Sequence, residues 1–364
     1  MGPFLFARAA SDILRCRYCA AFPLPFNRRV TPDLSPSHRN RHAIPMTQHP
    51  RRPRRSRQAK PVAGPQADPA FAHIAAPEIR HRVRLARIAH GVRRVNQQYI
   101  GEPLGDLMLH VWLKGLPGAG LVEEKGLPRH NLTRWLGPDA LTLHVNPREL
   151  IQFAETAPYK HITRPPSVAF IWDGDWDLRR TDLRQDPWIA YMRDLDENRH
   201  NLENSQRFHV LMERLKAGNP FRSHQEGVFL NSRQRILDYL AVYLGFLDNM
   251  ATNGYDETRA KDMLGVVISR EGRILKINRG LHRLAMAQYV GLPTIPVQVR
   301  HVHRTWWQSV THGTTGAHAL QRLRDALPHC RPEQHSGPLT EHPPVDVGPD
   351  FWPIPRYHAG KKSP

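Results

Sequence analysis

The chain has 364 residues, with 52 Lys and Arg against 33 Asp and Glu, a formal charge of +19, 33 prolines and 3 cysteines. Three cysteines cannot build the disulfide framework of a small secreted scaffold. The longest apolar run, Leu240 to Leu247, has eight residues. A bilayer needs roughly 20, so no membrane partner is expected and the reading is a cytoplasmic protein.

The charge is unevenly spread. Residues 1–66 hold 13 Lys and Arg against Asp12 and Asp33, a net +11 of the +19, and ten of the prolines. They show no apolar periodicity and read as a disordered basic tail. Met46, ahead of Arg51-Arg52-Pro53-Arg54-Arg55, reads as an alternative start, which would leave residues 1–45 untranslated. The run Arg51–Arg57 suits either nonspecific contact with nucleic-acid phosphate or a solvated charge run. Cys16-x-x-Cys19 lacks the second ligand pair that zinc needs. Residues 312–364, with nine prolines from Pro328 onward, read as a Pro-rich C-terminal tail.

Between the tails, residues 67–160 read as a helical and mixed section. Pro77 to Gln98 has Ile79, Val83, Ile88 and Val92 at helical spacing between arginines, a basic amphipathic helix. Gly101 to Gly126 is Gly-rich and loop-like, without the residues of a P-loop or a dinucleotide fingerprint. Leu141 to Val145 reads as a strand, and Pro147 to Thr156 as a helix opened by Asn146 and Pro147.

Residues 161–311 read as an α+β domain. Ser167 to Trp172 has a buried-strand pattern, followed at once by Asp173-Gly-Asp175-Trp-Asp177. Helices are expected over Arg207–Ala217 and Ser232–Met250, the second with an apolar face of Ile236, Leu240, Tyr243, Leu244, Leu247 and Met250 and a stop at Asn253-Gly254. Met263–Ile268 and Ile274–Ile277 read as a hairpin around Arg270-Glu271-Gly272. Gly280 then opens a helix through Val290, and Ile295–Val299 forms the next strand.

Two clusters carry chemistry. At Gly280 the hairpin feeds a helix whose first turn bears His282 and Arg283. Unpaired backbone N–H groups, the positive end of the helix dipole and a guanidinium then converge, which suits a phosphate. The bland alternative is a helix start with two exposed basic residues. At the other cluster, an extended backbone would point Asp173, Asp175 and Asp177 the same way. Carboxylates at a strand end are hard ligands for Mg²⁺, here Asp173 and Asp175. Asp175 or Asp177 could serve as a general base, and the alternative is a capping turn. Asp-x-Asp after a strand also occurs in metal-dependent glycosyltransferases that bind a nucleotide-sugar, and a non-enzymatic nucleic-acid binder using the tail is a third reading. Arg300 is a candidate second phosphate contact. His301 and His303 suit either a transition metal or a polar strand end, and Trp306 and Trp307 suit packing or base stacking.

The box Gly280-x-His282-Arg283-Leu284-Ala285-x-Ala287, with Gly291-Leu-Pro-x-Ile-Pro296-Val297, resembles the second conserved box of the ParB/sulfiredoxin-like superfamily. With Gly174-Asp175-Trp176-Asp177 and the trailing Arg300-His301…Trp306, it is similar to a group that pairs a GDWD element with a G-x-HRL box. The resemblance implies a ParB/sulfiredoxin-like mixed sheet with packed helices and a bound nucleotide, ATP or CTP, whose phosphates Gly280, His282 and Arg283 hold. Phosphoryl transfer or nucleotide hydrolysis with Mg²⁺ is the matching chemistry. Leu281 stands where ParB proteins carry an acid, and Arg279 where the GDWD group is often acidic, which speaks against CTP hydrolysis of the ParB type. No helix-turn-helix pattern follows the box, which speaks against DNA partitioning.

Overall fold

The computed structural model describes residues 69–155, 166–223, 227–257, 263–278, 280–340 and 347–357. The expected N-terminal tail, with Arg51–Arg57 and both residues of the Cys-x-x-Cys pair, lies outside them, as does Arg279. Among the described residues the α-helices are α1 Arg80–Asn96, α2 Glu102–Leu113, α3 Ala119–Glu124, α4 Arg129–Leu136, α5 Pro187–Glu197, α6 Gln206–Lys216, α7 Arg233–Asn253, α8 Leu281–Val290, α9 Arg304–Thr311 and α10 Gly316–Ala326. Strands β1 Thr142–Val145, β2 Gln152–Ala154, β3 Ile171–Trp172 and β4 Arg180–Asp182 precede the small pair β5 Arg222–Ser223 and β6 Val228–Phe229. Strands β7 Leu264–Ile268, β8 Arg273–Lys276, β9 Ile295–His303 and β10 Arg331–Pro332 follow.

Eight of these strands make one mixed sheet in the order β1-β9-β7-β8-β2-β4, with β3 on β9 and β10 on β8. The hairpin β7–β8 is antiparallel, closed where Gly272 N–H donates to Ser269 C=O at 3.0 Å. Strand β9 returns parallel to β7 after the crossover helix α8. Every residue of β7 is buried, so both faces of the sheet centre are covered, as a parallel crossover demands. Side chains do the local work at the helix starts. Asp186, Ser205 and Ser232 each accept a backbone N–H at the start of α5, α6 and α7, the ordinary N-cap bond. The buried face of α7 is Ile236, Tyr239, Leu240, Tyr243, Leu247 and Met250, so Tyr239 joins the expected face and Leu244 is only half-buried.

Several expectations are corrected. The Gly-rich stretch 101–126 contains α2 and α3, because the glycines sit at helix ends and at a close approach: a Cβ on Gly105 would lie 2.2 Å from Asn131 Oδ1. Pro147–Thr156 is not a helix. Asn146 caps a single 3₁₀ turn, Pro147–Glu149, and the apolar run after it becomes β2, paired on both sides by β8 and β4. No boundary falls at 160, since β1 and β2 pair with β9 and β8 in the same sheet, and Pro61–Pro364 forms one unit. The C-terminal region is not all tail. It supplies α10 and β10, and buried Glu333 pairs with buried Arg180 at 2.8 Å. Pro332 lies in β10, a two-residue strand on β8 alone, where a missing N–H costs no ladder bond.

Candidate functional site

Gly280 and, at the end of β8, Lys276 shape the approach to α8. Gly280 caps α8 in the left-handed region, at φ 75° and ψ 30°. A Cβ there would sit 2.5 Å from Leu264 Cδ2, so both conformation and space require glycine. Lys276, at the end of β8, is fully buried, and its Nζ donates to the carbonyls of Gly265, at 3.2 Å, and Ile277. It ties the start of β7 to the approach to the turn. Arg283 Nη2 lies 3.4 Å from the Cβ position that Gly280 lacks. Its Nη1 donates to the Tyr255 hydroxyl at 3.0 Å, and its guanidinium lies 6.0 Å from the centroid of that ring. A cation therefore sits beside the N-terminus of a ten-residue helix. Burial raises the Tyr255 pKa, so the hydroxyl keeps its proton and can donate it to an acceptor.

His282 plays a different part from the one its position suggests. Its Nδ1 lies 3.3 Å from the Tyr243 hydroxyl, which in turn accepts from Tyr239 at 3.3 Å, and its ring meets Trp188 edge-on at 3.8 Å between centroids. Burial, with the nearby Arg207 cation, lowers its pKa to about 4. The imidazole is neutral at pH 7. It anchors the first turn of α8 to α5 and α7 and adds no positive charge to the turn.

The acidic element follows β3. Gly174, at φ 91°, takes the chain out of the extended region, so the three aspartates do not share one face. Asp177 is fully buried, whereas the side chains of Asp173 and Asp175 are 69% and 64% exposed. All three carboxylates are held by arginine. Asp177 accepts from the Arg270 backbone N–H at 2.7 Å, from its Nε at 3.1 Å and from its Nη2 at 2.8 Å. Arg270 Nη2 also donates to Asp175 at 2.9 Å, and Arg304 Nε donates to Asp173 at 2.7 Å. These bonds to Asp177 and Asp175 raise the Arg270 pKa despite its partial burial. Burial works to raise the Asp173 pKa, but the Gly174 N–H and Arg304 hold it below the usual carboxylate value. Arg180 extends the network, donating to Asp177 C=O, Glu333 and Glu271.

The two clusters lie apart. Gly280 packs on Leu264, where β7 begins, and Asp177 is bound by Arg270, just beyond where β7 ends. The strand between them makes the separation on the order of 15–20 Å. A cation that holds its oxygens at about 2 Å cannot bridge the two. Among the described residues no group of three or more His, Cys, Asp and Glu side chains is placed to hold a metal. Both ring nitrogens of His303 are occupied: Nε2 faces Gly174 C=O at 2.9 Å, and Nδ1 accepts from Thr305 N–H at 3.0 Å. His301 stacks on Trp172 with centroids 3.6 Å apart and faces Ala169 C=O through Nδ1 at 2.7 Å. Arg300 is the extra residue of a bulge, since Val266 pairs with Val299 and Val267 with His301. Trp306 and Trp307 are buried packing residues. The Trp307 indole and that of Trp112 both donate to Glu123, at 2.9 and 2.7 Å.

Two participants escaped the sequence reading. Arg270 was legible only as part of a tight turn, and Tyr255 only as a residue after the helix stop Asn253-Gly254. Neither has a local pattern, because each acts on a residue distant in sequence.

The architecture defines a mixed α/β protein built on one mixed sheet with helices packed on it. No family model, curated protein or solved structure matches the chain. Among the described residues no helix is long and apolar enough to cross a membrane.

Proposed function

We propose that the chain is a ParB/sulfiredoxin-like protein that binds the phosphate groups of a nucleotide, or of another phosphorylated small molecule, at the start of α8. The observation that carries this reading is the Arg283 guanidinium lying against the left-handed Gly280 turn, held there by Tyr255. An anion at this point would meet the N–H groups of the first helical turn, the helix dipole and a guanidinium together. The sequence of hairpin, glycine, helix and returning β9 strand supports the superfamily assignment. His282 serves as an anchor of the turn, and the phosphate contacts fall to the Gly280 turn, Arg283 and Tyr255.

Phosphoryl transfer does not follow from this arrangement. The carboxylates Asp175 and Asp177 stand at the far end of β7, engaged by Arg270, and Asp173 is engaged by Arg304. The same engagement leaves the nucleotide-sugar transferase reading without a supporting observation. Calorimetric titration of the full chain with ATP, CTP and pyrophosphate, with and without Mg²⁺, tests the proposal. At least one of the three should bind, and Arg283→Ala should weaken it by about tenfold or more, the loss of one charge-assisted contact. Equal affinity in the variant would overturn it. No binding of any of the three would do so too.

A further inference from the structure

Helix α1 and helix α2 are one continuous rod. Residues 97–101 between them form a π turn, and both flanking residues, Asn96 and Glu102, keep right-handed helical angles. At 1.5 Å per residue the rod from 80 to 113 is about 50 Å long. One side of it is anchored. Val83 is buried with Ala76 and Ile79, and Gly105, Leu109 and Trp112 are buried further along.

The other side is apolar and uncovered. Leu85, Ile88, Val92, Val95 and Tyr99 are between 52% and 71% exposed. They recur at steps of three and four, so at 100° per residue they fall within about 80° of one another. Leu104 and Leu107, 55% and 61% exposed, break that spacing in sequence. The π turn acts as one inserted residue and rotates the following helix by about 100°. That rotation brings Leu104 and Leu107 back into the same stripe, with Gly105, Leu109 and Trp112 on the opposite side of the rod. The π turn thus keeps the exposed stripe in phase.

Charge decides what covers the stripe. Between Glu78 and Glu102 the chain has six arginines, two histidines and no acid. A second copy would set these arginines against their own kind. The nearest acids on α2 are already taken, Glu102 by His130 and Arg134 and Asp106 by Arg134. Nucleic acid would satisfy the arginines but leave the stripe in water. A membrane-surface helix pairs a Lys/Arg-rich face with a face of Trp, Phe and Leu; this stripe is only about 80° wide and holds a single aromatic residue, Tyr99. A narrow three-and-four stripe is the seam of a coiled coil, with flanking charges that choose the partner.

We infer that the α1–α2 rod is an interaction surface for an acidic amphipathic helix of another protein, which would lay its own apolar seam on Leu85–Leu107 and its carboxylates beside the arginines. The test uses the full chain and two labelled synthetic peptides of about four heptads, with Leu and Ile at the seam and either Glu or Lys on the flanks. Fluorescence anisotropy should give an affinity for the Glu peptide at least about tenfold above that for the Lys peptide. Ile88→Gln combined with Val92→Gln should abolish that preference, and because both side chains are exposed the melting temperature should stay unchanged. Equal binding of the two peptides, no binding of either, or unchanged binding in the double variant would each overturn the inference. So would a wild-type dimer in light scattering that the double variant disperses, which would mean self-pairing. Variant-sensitive binding to phosphatidylserine vesicles in preference to the Glu peptide would overturn it in favour of a membrane surface.

Discussion

The two ends of strand β7 use similar residue types to opposite effect. At its C-terminal end, acids and arginines neutralise one another: Asp177 with Arg270, Arg180 with Glu333 and Glu271, and Asp173 with Arg304. These bonds join the turn after β3, β4, the β7–β8 turn, α9 and the C-terminal segment, so this end is a joint of the fold. At its N-terminal end the cation Arg283 is held by a tyrosine hydroxyl beside a helix start, and the histidine there is turned into an aromatic cluster and stays neutral. A run of aspartates with arginines already in place is more a fastening than a ligand cage.

Three variants separate the ends further. The largest effect is expected at the joint. Asp177→Ala removes a fully buried carboxylate and leaves Arg270 and the neighbouring N–H without it. Removing one member of such a pair costs about 3 kcal/mol or more, read as a lower denaturant midpoint. If the ends are independent, phosphate-ligand affinity in the still-folded fraction should not change; a parallel loss of affinity would mean that the two ends are coupled.

The second effect belongs to His282 and depends on pH. Its folded pKa, about 4, lies below the ordinary value of 6.5, so between those values the unfolded chain binds the proton and the folded chain does not. Stability is therefore retained above about pH 6.5 and falls as pH drops toward 4, by about 3 kcal/mol in all. Thermal melts at pH 7.5 and pH 5 should show the loss in the wild type and a smaller one in His282→Phe. Identical pH dependence in the two proteins would place the imidazole outside this balance. The smallest effect is expected at Asp173. Its carboxylate is mostly exposed, so Asp173→Asn should cost less than about 1 kcal/mol. A cost as large as that of Asp177→Ala would mean that exposure does not grade the joint.

Much of the fold was legible in the chain. The hairpin β7–β8, the helix α8 and the apolar face of α7 follow from local periodicity and from the punctuation of Gly254, Gly272, Gly280 and Gly291. Less legible were segments whose fate depends on a distant partner. The run 151–154 is short and apolar and suits helix or strand alike; pairing with β8 and β4 made it a strand. The prolines near 332 read as disorder until β8 and Arg180 supplied partners for that segment.

The candidate site divides along the same line. By itself the sequence determined that a glycine opens a basic helix turn and that three carboxylates cluster after a strand. Both rest on neighbours within a few residues. The apolar residues expected on one face of the arginine-rich helix instead divide between a buried side, Ile79 and Val83, and an exposed one, Ile88 and Val92. Only the tertiary structure decided that the carboxylates are matched by Arg270 and Arg304, that His282 is neutral, that Tyr255 holds Arg283, and that a strand's length separates the two clusters. Those outcomes depend on which groups share desolvation and charge across long sequence distances, and local spacing carries no record of that.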